Sequence, residues 1–549
     1  MNLNYIRSNL DEIYFQSSNR GLRQSAKWAA ELLCSIKSGT EVNSRCLDDS
    51  GMNSTFDHPM EELKDRKTMD PHNNYDYRFA KSIFDLGEYE RCAFFTQKYT
   101  DTETCFLHFY SKYLAIEKRR LDKMVEPSSV IPQCQLKIFL QLRTELEELF
   151  LNNMEIKEDC YMHYLHGIVL LKLGLDDEAI AALTKSVGFD PLCWCSWQQL
   201  SQIIEDETQF SKLKLPNHWL KNFFIASVYL ELQLNENALS IYTDLLNTFV
   251  DNNYLRSQLA KVKYNLREVE QAIVLFGNIR SEDPYRLDSM DIYSNLLYVK
   301  EMQNELSSLA HVANQIDPFR VETCYCIANF FSLRGQHAKS VVYFSRALQL
   351  NPKHLSAWTL MGHEYVELKN TNAAIQAYRS AIKCNKRDFR AWYGLGQTYE
   401  ILKMPAYSLY YYGMAHFLKP NDSRLITAIG QTYEKLSRYE DAANCYAKSG
   451  FSSLIRLALL YEKMDEEHKA AAVYNEYVNH FEEKQLAYNL ATSDLTLAYK
   501  FLANYFFKNN KFQQAQTAAQ MCMCFNETRD EAKELLNKIQ AELDKNKCD

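Results

Sequence analysis

An internal repeat with a period of 34 residues constrains this chain more than any other feature. Residues 357–367 (AWTLMGHEYVE) align with residues 391–401 (AWYGLGQTYEI), which lie 34 positions further on. A fixed period of this length indicates a stack of similar units instead of one globular core. Large residues match large ones and small residues match small ones: Trp358 with Trp392, Gly362 with Gly396, Tyr365 with Tyr399, Ala374 with Ser408, Tyr378 with Tyr412, and Ala381 with Ala415.

The residue types within the period indicate pairs of helices. Small residues let two antiparallel helices approach closely, and aromatic residues fill the gaps between neighbouring units. Proline near the end of a unit stops the second helix, because it lacks an amide hydrogen. The prolines that keep the spacing are Pro284, Pro318, Pro352 and Pro420, and the glycines at the turn between helices are Gly87, Gly174 and Gly335. This is the tetratricopeptide pattern, so the predicted fold class is all-α: a tetratricopeptide-repeat superhelical solenoid of antiparallel helix pairs.

The pair Gly394-x-Gly396 has an alternative interpretation as the start of a phosphate-binding loop. Such a loop needs a third glycine, followed by a helix whose N-terminal amides face the anion. Here the third glycine is missing, and the preceding residues (KRDFRAWY) are typical of a helix start instead of a β-strand. The repeat alignment predicts that Gly396 is a packing residue inside a helix.

Composition disfavours several other classes of protein. No stretch of eighteen apolar residues and no basic segment followed by an apolar core is present, so we expect no membrane span and no secretory signal. The net charge of −8 argues against nucleic acid as the main partner, which requires a basic face. The 36 tyrosines and 29 phenylalanines follow from the repeated aromatic positions.

The cysteines and histidines predict neither a metal site nor a cofactor. The 15 cysteines occur singly or as C-x-C, without C-x-x-C pairs at zinc spacing. We therefore expect free, reduced and mostly buried thiols in a protein of the nucleus and cytoplasm. His163 and His166 come nearest to a metal pair, but they occupy packing positions of a repeat.

The period and its interruptions divide the chain into five segments. Residues 1–36 are a degenerate helical repeat, and the polar insert 37–74 is expected to be disordered. That insert is either a plain linker or a docking or regulatory segment. Residues 75–250 hold N-terminal repeats, and 251–527 hold C-terminal repeats with the expected groove for peptides and subunits. Residues 528–549 form a charged C-terminal helix and tail.

The segments predict a homodimer without catalytic activity. The N-terminal repeats are degenerate and apolar, as in residues 222–234 (NFFIASVYLELQL), and the ends of a solenoid must be capped or buried. We therefore expect dimerisation through the repeats before about residue 250. The repeats leave no space for a catalytic domain, so we predict that the protein is not an enzyme.

Some stretches between residues 321 and 448 go beyond what the repeat requires, among them MGHEY, NKRDFRAWYGLGQTYEILKMP and LYYY. Together with AKWAAELL near the N-terminus, they resemble the subunit-eight family of the anaphase-promoting complex, the cell-division-cycle twenty-three type. The insert 37–74 departs from that resemblance. The resemblance implies a scaffold subunit of a cullin-RING-type ubiquitin ligase that directs mitotic cyclins and securin to the proteasome. It also implies homodimerisation, contacts with other subunits of the complex, and binding of Fizzy-type propeller co-activators.

In such families the concave face takes the C box of the co-activator, a short extended peptide with arginines. An arginine needs a carboxylate and amide oxygens placed for its planar guanidinium. The concave face here has polar and aromatic residues that we expect core packing to explain poorly. The predicted peptide-binding residues are Asn329 and Glu364 for the arginine pocket, with Tyr325, His363 and Glu400 as flanking contacts.

Two other functions were weighed against the residues. A chaperone co-factor would clamp a C-terminal carboxylate with Lys or Arg on the groove face, and the corresponding positions of the repeats from Val321 and Leu355 lack cations. An enzyme with a repeat extension, such as a glycosyltransferase or phosphatase, would require the catalytic domain that the repeats leave no space for. Binding of other ligase subunits from mitotic extract would separate these alternatives.

Overall fold

The computed structural model describes residues 3–41, 75–99, 101–122, 133–204, 206–483, 492–523, 525 and 528–545. These residues contain thirty α-helices, one short 3-10 helix (Phe451–Ser453) and no β-strand. The predicted all-α class of tetratricopeptide helix pairs is therefore confirmed. Among the described helices, none is both long and apolar enough to cross a lipid bilayer.

The helices are α1 (Leu3–Asn19), α2 (Arg23–Glu41), α3 (Tyr75–Asp85), α4 (Tyr89–Thr96), α5 (Thr102–Asp122), α6 (Gln133–Asn152), α7 (Met154–Lys157), α8 (Cys160–Leu173), α9 (Asp176–Phe189), α10 (Trp194–Ile203), α11 (Glu207–Lys212), α12 (Leu220–Glu231), α13 (Asn235–Thr248), α14 (Asn253–Asn265), α15 (Val269–Glu282), α16 (Met290–Val299), α17 (Gln303–Ile316), α18 (Val321–Leu333), α19 (His337–Leu350), α20 (Leu355–Glu367), α21 (Thr371–Cys384), α22 (Phe389–Ile401), α23 (Pro405–Leu418), α24 (Ser423–Lys435), α25 (Tyr439–Ser449), α26 (Leu454–Lys463), α27 (Glu467–Glu483), α28 (Thr492–Lys508), α29 (Phe512–Cys522) and α30 (Arg529–Lys545).

The helix ends follow the signals in the sequence. Helices α17 and α23 end two residues before Pro318 and Pro420, as the repeat predicts. At the start of α22, the Asp388 carboxylate accepts a hydrogen bond from the backbone N–H of Arg390. Such a cap satisfies one of the amides that a helix N-terminus leaves without an intrahelical partner. The 34-residue register is therefore visible in the backbone as well as in the side chains.

The turn between the two helices of a repeat keeps one backbone conformation in glycine and non-glycine repeats. Gly174 and Gly335 have φ angles of 76° and 70°, as predicted for this position. Lys369, Lys403 and Ser437 adopt φ angles of 59°, 59° and 60° at the equivalent place. A side chain in the left-handed region costs roughly 1–2 kcal/mol. The packing of the repeat therefore imposes this turn even where the residue disfavours it.

The glycines at the centre of the repeats are packing residues. A methyl group added at Gly396 would overlap the ring of Tyr412, and a Cβ atom on Gly430 would lie 2.6 Å from Cε1 of Tyr446. Gly394 faces a third ring, since its Cβ would lie 2.5 Å from Cε1 of Tyr378. The packing role predicted for Gly396 is confirmed, and it extends to Gly394.

The chain forms two compact units, unit 1 (Met1–Pro352) and unit 2 (Lys353–Asp549). In unit 1, helices α1 and α2 belong to a hydrophobic core that continues to Val262. The indole of Trp28 on α2 stacks on that of Trp194 on α10, with ring centroids 4.1 Å apart. The Arg286 guanidinium pairs with the Glu31 carboxylate at 2.6 Å. The first two helices are therefore anchored to repeats more than a hundred residues away along the chain.

The predicted start of the polar insert needs correction. Helix α2 continues to Glu41, so residues 37–41 are helical instead of forming the beginning of the insert. A helix propagates easily beyond its packed face, because each added residue gains one backbone hydrogen bond. The remainder of the insert, 42–74, lies outside the described residues, and its expected disorder stays a prediction.

Candidate peptide-binding face

Tyr325 and Asn329 lie one helical turn apart on α18 in unit 1, and both are buried, with 1% of their surface exposed. The Tyr325 ring contacts that of Phe344 edge to face at 5.5 Å. The expectation that packing explains these residues poorly is therefore wrong for Tyr325. The Asn329 amide nitrogen donates a hydrogen bond to Ser294 Oγ at 3.0 Å. Its Oδ1 atom is buried and has no hydrogen-bond donor in the structure.

His363 and Glu364 are adjacent on α20 in unit 2. His363 is half-buried, and its Nδ1 lies 2.8 Å from the hydroxyl of Tyr378. Burial lowers the pKa of His363 below its usual value, and the nearby Glu367 carboxylate opposes that shift. The Glu364 side chain is buried, with 3% exposed. Glutamate is almost never buried to this degree unless it is paired, and Glu364 interacts with another group of the chain.

Glu400 on α22 is held by two neighbours in unit 2. One carboxylate oxygen accepts a hydrogen bond from the Tyr412 hydroxyl at 2.8 Å. The other accepts one from the Lys435 ammonium at 2.5 Å. The carboxylate is therefore already neutralised within the chain, and only part of it remains for a ligand. Its role as a flanking contact stays a prediction, as do those of Tyr325, Asn329, His363 and Glu364.

The same arrangement recurs along unit 2. The Tyr446 hydroxyl donates to Glu434 at 3.3 Å, and the ammonium of Lys463 pairs with the same carboxylate. In the next repeat, the Tyr474 hydroxyl donates to Glu462 at 2.5 Å. The sequence interpretation missed this ladder of tyrosine, glutamate and lysine. Its signal is a glutamate that precedes the packing tyrosine by 12 residues in each of these repeats.

Other candidate chemistry is accounted for by packing. The His163 ring stacks on those of Phe150 and Phe189, at 4.9 and 5.3 Å, and its Nε2 lies 2.8 Å from the Lys157 carbonyl. Among the described residues, no group of three or more His, Cys, Asp or Glu side chains is placed to hold a metal ion. The described cysteines are free thiols, and most are buried. His163 thus has the packing role that the repeat predicts.

The sequence of the chain is similar to known proteins. A family model described as anaphase promoting complex subunit 8 / Cdc23 matches residues 5–260, and a tetratricopeptide-repeat model matches residues 362–401. Anaphase-promoting complex subunit 8 of Dictyostelium discoideum is 37% identical over 578 aligned positions, which cover 95% of each chain. The chain belongs to the anaphase-promoting complex subunit 8 / Cdc23 family.

The subunit 8 / Cdc23 relatives differ in how much of their length this chain matches. The Arabidopsis thaliana subunit 8 is 37% identical, over 65% of each chain. The human cell division cycle protein 23 homolog is 42% identical over 53% of this chain, so the match spans about half of that relative (46%). A crystal structure titled as the APC/C hetero-tetramer Cut9–Hcn1 has a TM-score of 0.51, covering 85% of this chain and 96% of that chain. Its sequence identity is 15%, so this likeness supports the fold alone.

Proposed function

We propose that this chain is a non-catalytic scaffold subunit of the anaphase-promoting complex ubiquitin ligase. In this proposal it organises neighbouring subunits and binds the C box of a Fizzy-type propeller co-activator, and thereby promotes ubiquitination of mitotic regulators. Membership of the subunit 8 / Cdc23 family supports the place in that complex. We further propose that the protein acts in the nucleus and cytoplasm, where thiols stay reduced.

The observation that carries the peptide-binding proposal is the unpaired oxygen of Asn329. A buried acceptor without a donor costs free energy, of the order of 1–3 kcal/mol. The N–H groups of an arginine side chain would supply that donor. Separately, within unit 2, the buried carboxylate of Glu364 on α20 is proposed to pair with a peptide arginine. The roles of both residues in peptide binding remain a proposal.

The test is co-activator binding by the reconstituted complex. Asn329→Ala and Glu364→Ala should each weaken co-activator affinity at least about tenfold, because loss of one partner of a desolvated pair costs about 2–5 kcal/mol. Substrate ubiquitination should fall accordingly, with the complex still assembled. Glu367→Ala, at an exposed position on α20, is the matched control for Glu364→Ala. Unchanged affinity in both variants would move the peptide site to other repeats or another subunit.

We also propose that the chain forms a homodimer through its N-terminal repeats. Phe79, Phe94 and Phe95 on α3 and α4 are exposed by 48%, 71% and 42%. Their rings touch, with centroids 5.3 Å apart for Phe79–Phe95 and 5.7 Å for Phe94–Phe95. A contiguous apolar patch of this kind is typical of a protein–protein contact. Light scattering of the full chain at micromolar concentration should give the mass of a dimer, and a monomer would contradict the proposal.

A further inference from the structure

The solvent-facing side of α23 carries a row of apolar residues. They are spaced three, four and three positions apart: Tyr407, Tyr410, Met414 and Phe417. Residues at this spacing line one side of a helix, as they do where two helices pack along a common seam. Tyr407, Tyr410 and Phe417 are exposed by 60%, 60% and 80%, and Met414 is half-buried. We call these four residues the α23 seam.

The repeat does not require apolar residues at these positions. The residues that lie 34 positions before the seam, on α21, are Ala373, Gln376, Ser380 and Lys383. Those that lie 34 positions after its first three members, on α25, are Asp441, Asn444 and Lys448. Helix α23 itself contains no lysine, arginine, aspartate or glutamate. Because a surface helix ordinarily carries polar and charged residues on its outer face, the α23 seam indicates an interaction surface.

Stacking already orders the aromatic rings of the seam. The ring of Tyr399 on α22 stacks on that of Tyr407 at 5.5 Å and on that of Tyr411 at 5.2 Å. The Tyr410 ring meets that of Tyr411 edge to face, also at 5.2 Å. Side chains that are ordered before binding lose less conformational entropy when a partner covers them. The seam is therefore preorganised for a partner.

Two cations flank the seam. The Arg379 guanidinium donates hydrogen bonds to the hydroxyls of Tyr399, at 3.2 Å, and Tyr411. Lys383 lies one helical turn further along α21 and is exposed. Within the described part of the chain, neither cation has a carboxylate partner, and neither α21 nor α23 contains an aspartate or glutamate. Other arginines of unit 2 do contact carboxylates: Arg390, Arg424 and Arg438. The edge of the seam is therefore positively charged.

We propose that the α23 seam binds an acidic, amphipathic helix of another polypeptide. The apolar residues of that helix pack on the seam, and carboxylates on one of its flanks reach Arg379 and Lys383. A helix fits better than an extended strand, because its own apolar residues recur at the same spacing of three and four. Cations one turn apart on α21 likewise match carboxylates one turn apart on a helix that lies alongside.

This surface is separate from the candidate peptide-binding face. The residues of that face lie on α18, α20 and α22, whereas the seam and its cations lie on α23 and α21. The charge preference is also opposite, since the C box carries arginines. The proposal rests on unit 2 alone and does not depend on co-activator binding.

The experiment is fluorescence anisotropy with the full chain and labelled, helix-forming peptides of about 18 residues, roughly 27 Å long when helical. The acidic peptide has leucine at the spacing of three and four and glutamate on both flanks, and a second peptide replaces each glutamate by glutamine. The acidic peptide should bind at least about fivefold more tightly, and high salt should reduce this preference. A third peptide, with the acidic composition in scrambled order, should bind at least about fivefold more weakly than the acidic one. Equal affinity in either comparison, or no binding of the acidic peptide at millimolar concentration, would overturn the proposal.

Substitutions test the location of the site. Tyr410→Ser combined with Phe417→Ser should weaken the acidic peptide at least about tenfold, because two exposed aromatic contacts are lost. Phe319→Ser, at a position exposed by 74% in unit 1, is the matched control and should bind normally. Lys383→Glu should abolish the preference for glutamate over glutamine, whereas Lys185→Glu, at an exposed position on α9, should keep it. Unchanged binding by the double variant, or equal weakening by Phe319→Ser, would refute the assignment.

A second copy of this chain is the competing occupant of the seam. Light scattering of the Tyr410→Ser, Phe417→Ser variant should give the same mass as the unchanged chain, because the proposed dimer contact lies in the N-terminal repeats. A lower mass for the variant would show that the seam joins two copies, and the assignment to a different polypeptide would then be wrong.

Discussion

A Cβ atom on Gly362 would lie 2.6 Å from Cε1 of Tyr378. The tyrosine ring of one helix therefore occupies the space that a side chain at position 362 of the preceding helix would need. Tyr378 is 1% exposed, and its hydroxyl lies 2.8 Å from Nδ1 of His363. The ring is also covered by Gly394 from the following repeat. One tyrosine thus joins two repeats, and a small residue on each side is required to admit it.

Gly362→Leu should destabilise the chain by about 1–3 kcal/mol, because the added side chain overlaps a buried ring that cannot move freely. Thermal unfolding and assembly of the complex measure the effect. Gly413→Ala is the control, since a Cβ atom there meets nothing within 4 Å and the residue lies inside α23. That change should stabilise the helix by roughly 0.5–1 kcal/mol. Equal thermal midpoints for Gly362→Leu and the unchanged protein would show that the repeat register is wrong.

The left-handed turn between the helices of a repeat predicts opposite effects of substitution on stability at Gly335 and at Lys403. Gly335→Ala should lower stability by about 1 kcal/mol, because alanine is strained at a φ of 70°. Lys403→Gly should raise the thermal midpoint slightly, because it removes the same strain at a φ of 59° while loosening the unfolded chain. Thermal unfolding of the two variants, compared with the unchanged protein, checks the pair. A destabilised Lys403→Gly variant would mean that the unfolded-state effect dominates.

Trp28→Ala should release α1 and α2 from the rest of unit 1. The indole is 6% exposed and stacks on Trp194, and removal of a buried tryptophan typically costs about 3–5 kcal/mol. Hydrogen exchange of the α1–α2 amides should accelerate much more than that of α20–α23, which lie in unit 2. Phe15→Ala, at an exposed position on α1, should leave exchange in both regions unchanged. Uniform acceleration throughout the chain would contradict a local anchoring role.

His108 predicts a loss of stability in mild acid. Burial, with a smaller contribution from Lys112, lowers the pKa of His108 to about 4, although the Ala93 carbonyl and Glu145 oppose the shift. The unfolded chain then binds the proton more tightly than the folded chain, since the ordinary histidine pKa is about 6.5. Stability is therefore complete above about pH 6.5 and decreases by about 1–2 kcal/mol as the pH falls to about 5.

Urea midpoints at neutral and mildly acidic pH, compared between the unchanged protein and His108→Gln, isolate this effect. The variant should lose part of the pH dependence, because glutamine can occupy the site without titrating. His311→Gln, at an exposed position on α17, should retain the full dependence. An identical pH profile for all three proteins would exclude His108 as the acid-sensitive group.

The sequence alone determined the repeat architecture. Period, residue size and turn chemistry act locally, because each repeat contacts mainly its neighbours. Gly396 against Tyr412, the helix ends before Pro318 and Pro420, and the turn at Gly335 are therefore all predictable from spacing. The resemblance to the subunit 8 family also depended on local stretches, such as MGHEY, that survive without knowledge of the fold.

Contacts between residues far apart in the sequence, and the pairing of charged groups that have several possible partners, were visible only in the tertiary structure. The stack of Trp28 on Trp194 joins segments that no period relates. The neutralisation of Glu400 by Lys435 likewise requires two repeats to meet at a defined distance. Sequence spacing fixes which face of a helix a residue occupies, but the partners that fill that face are chosen by packing across the unit, where burial and charge pairing compete.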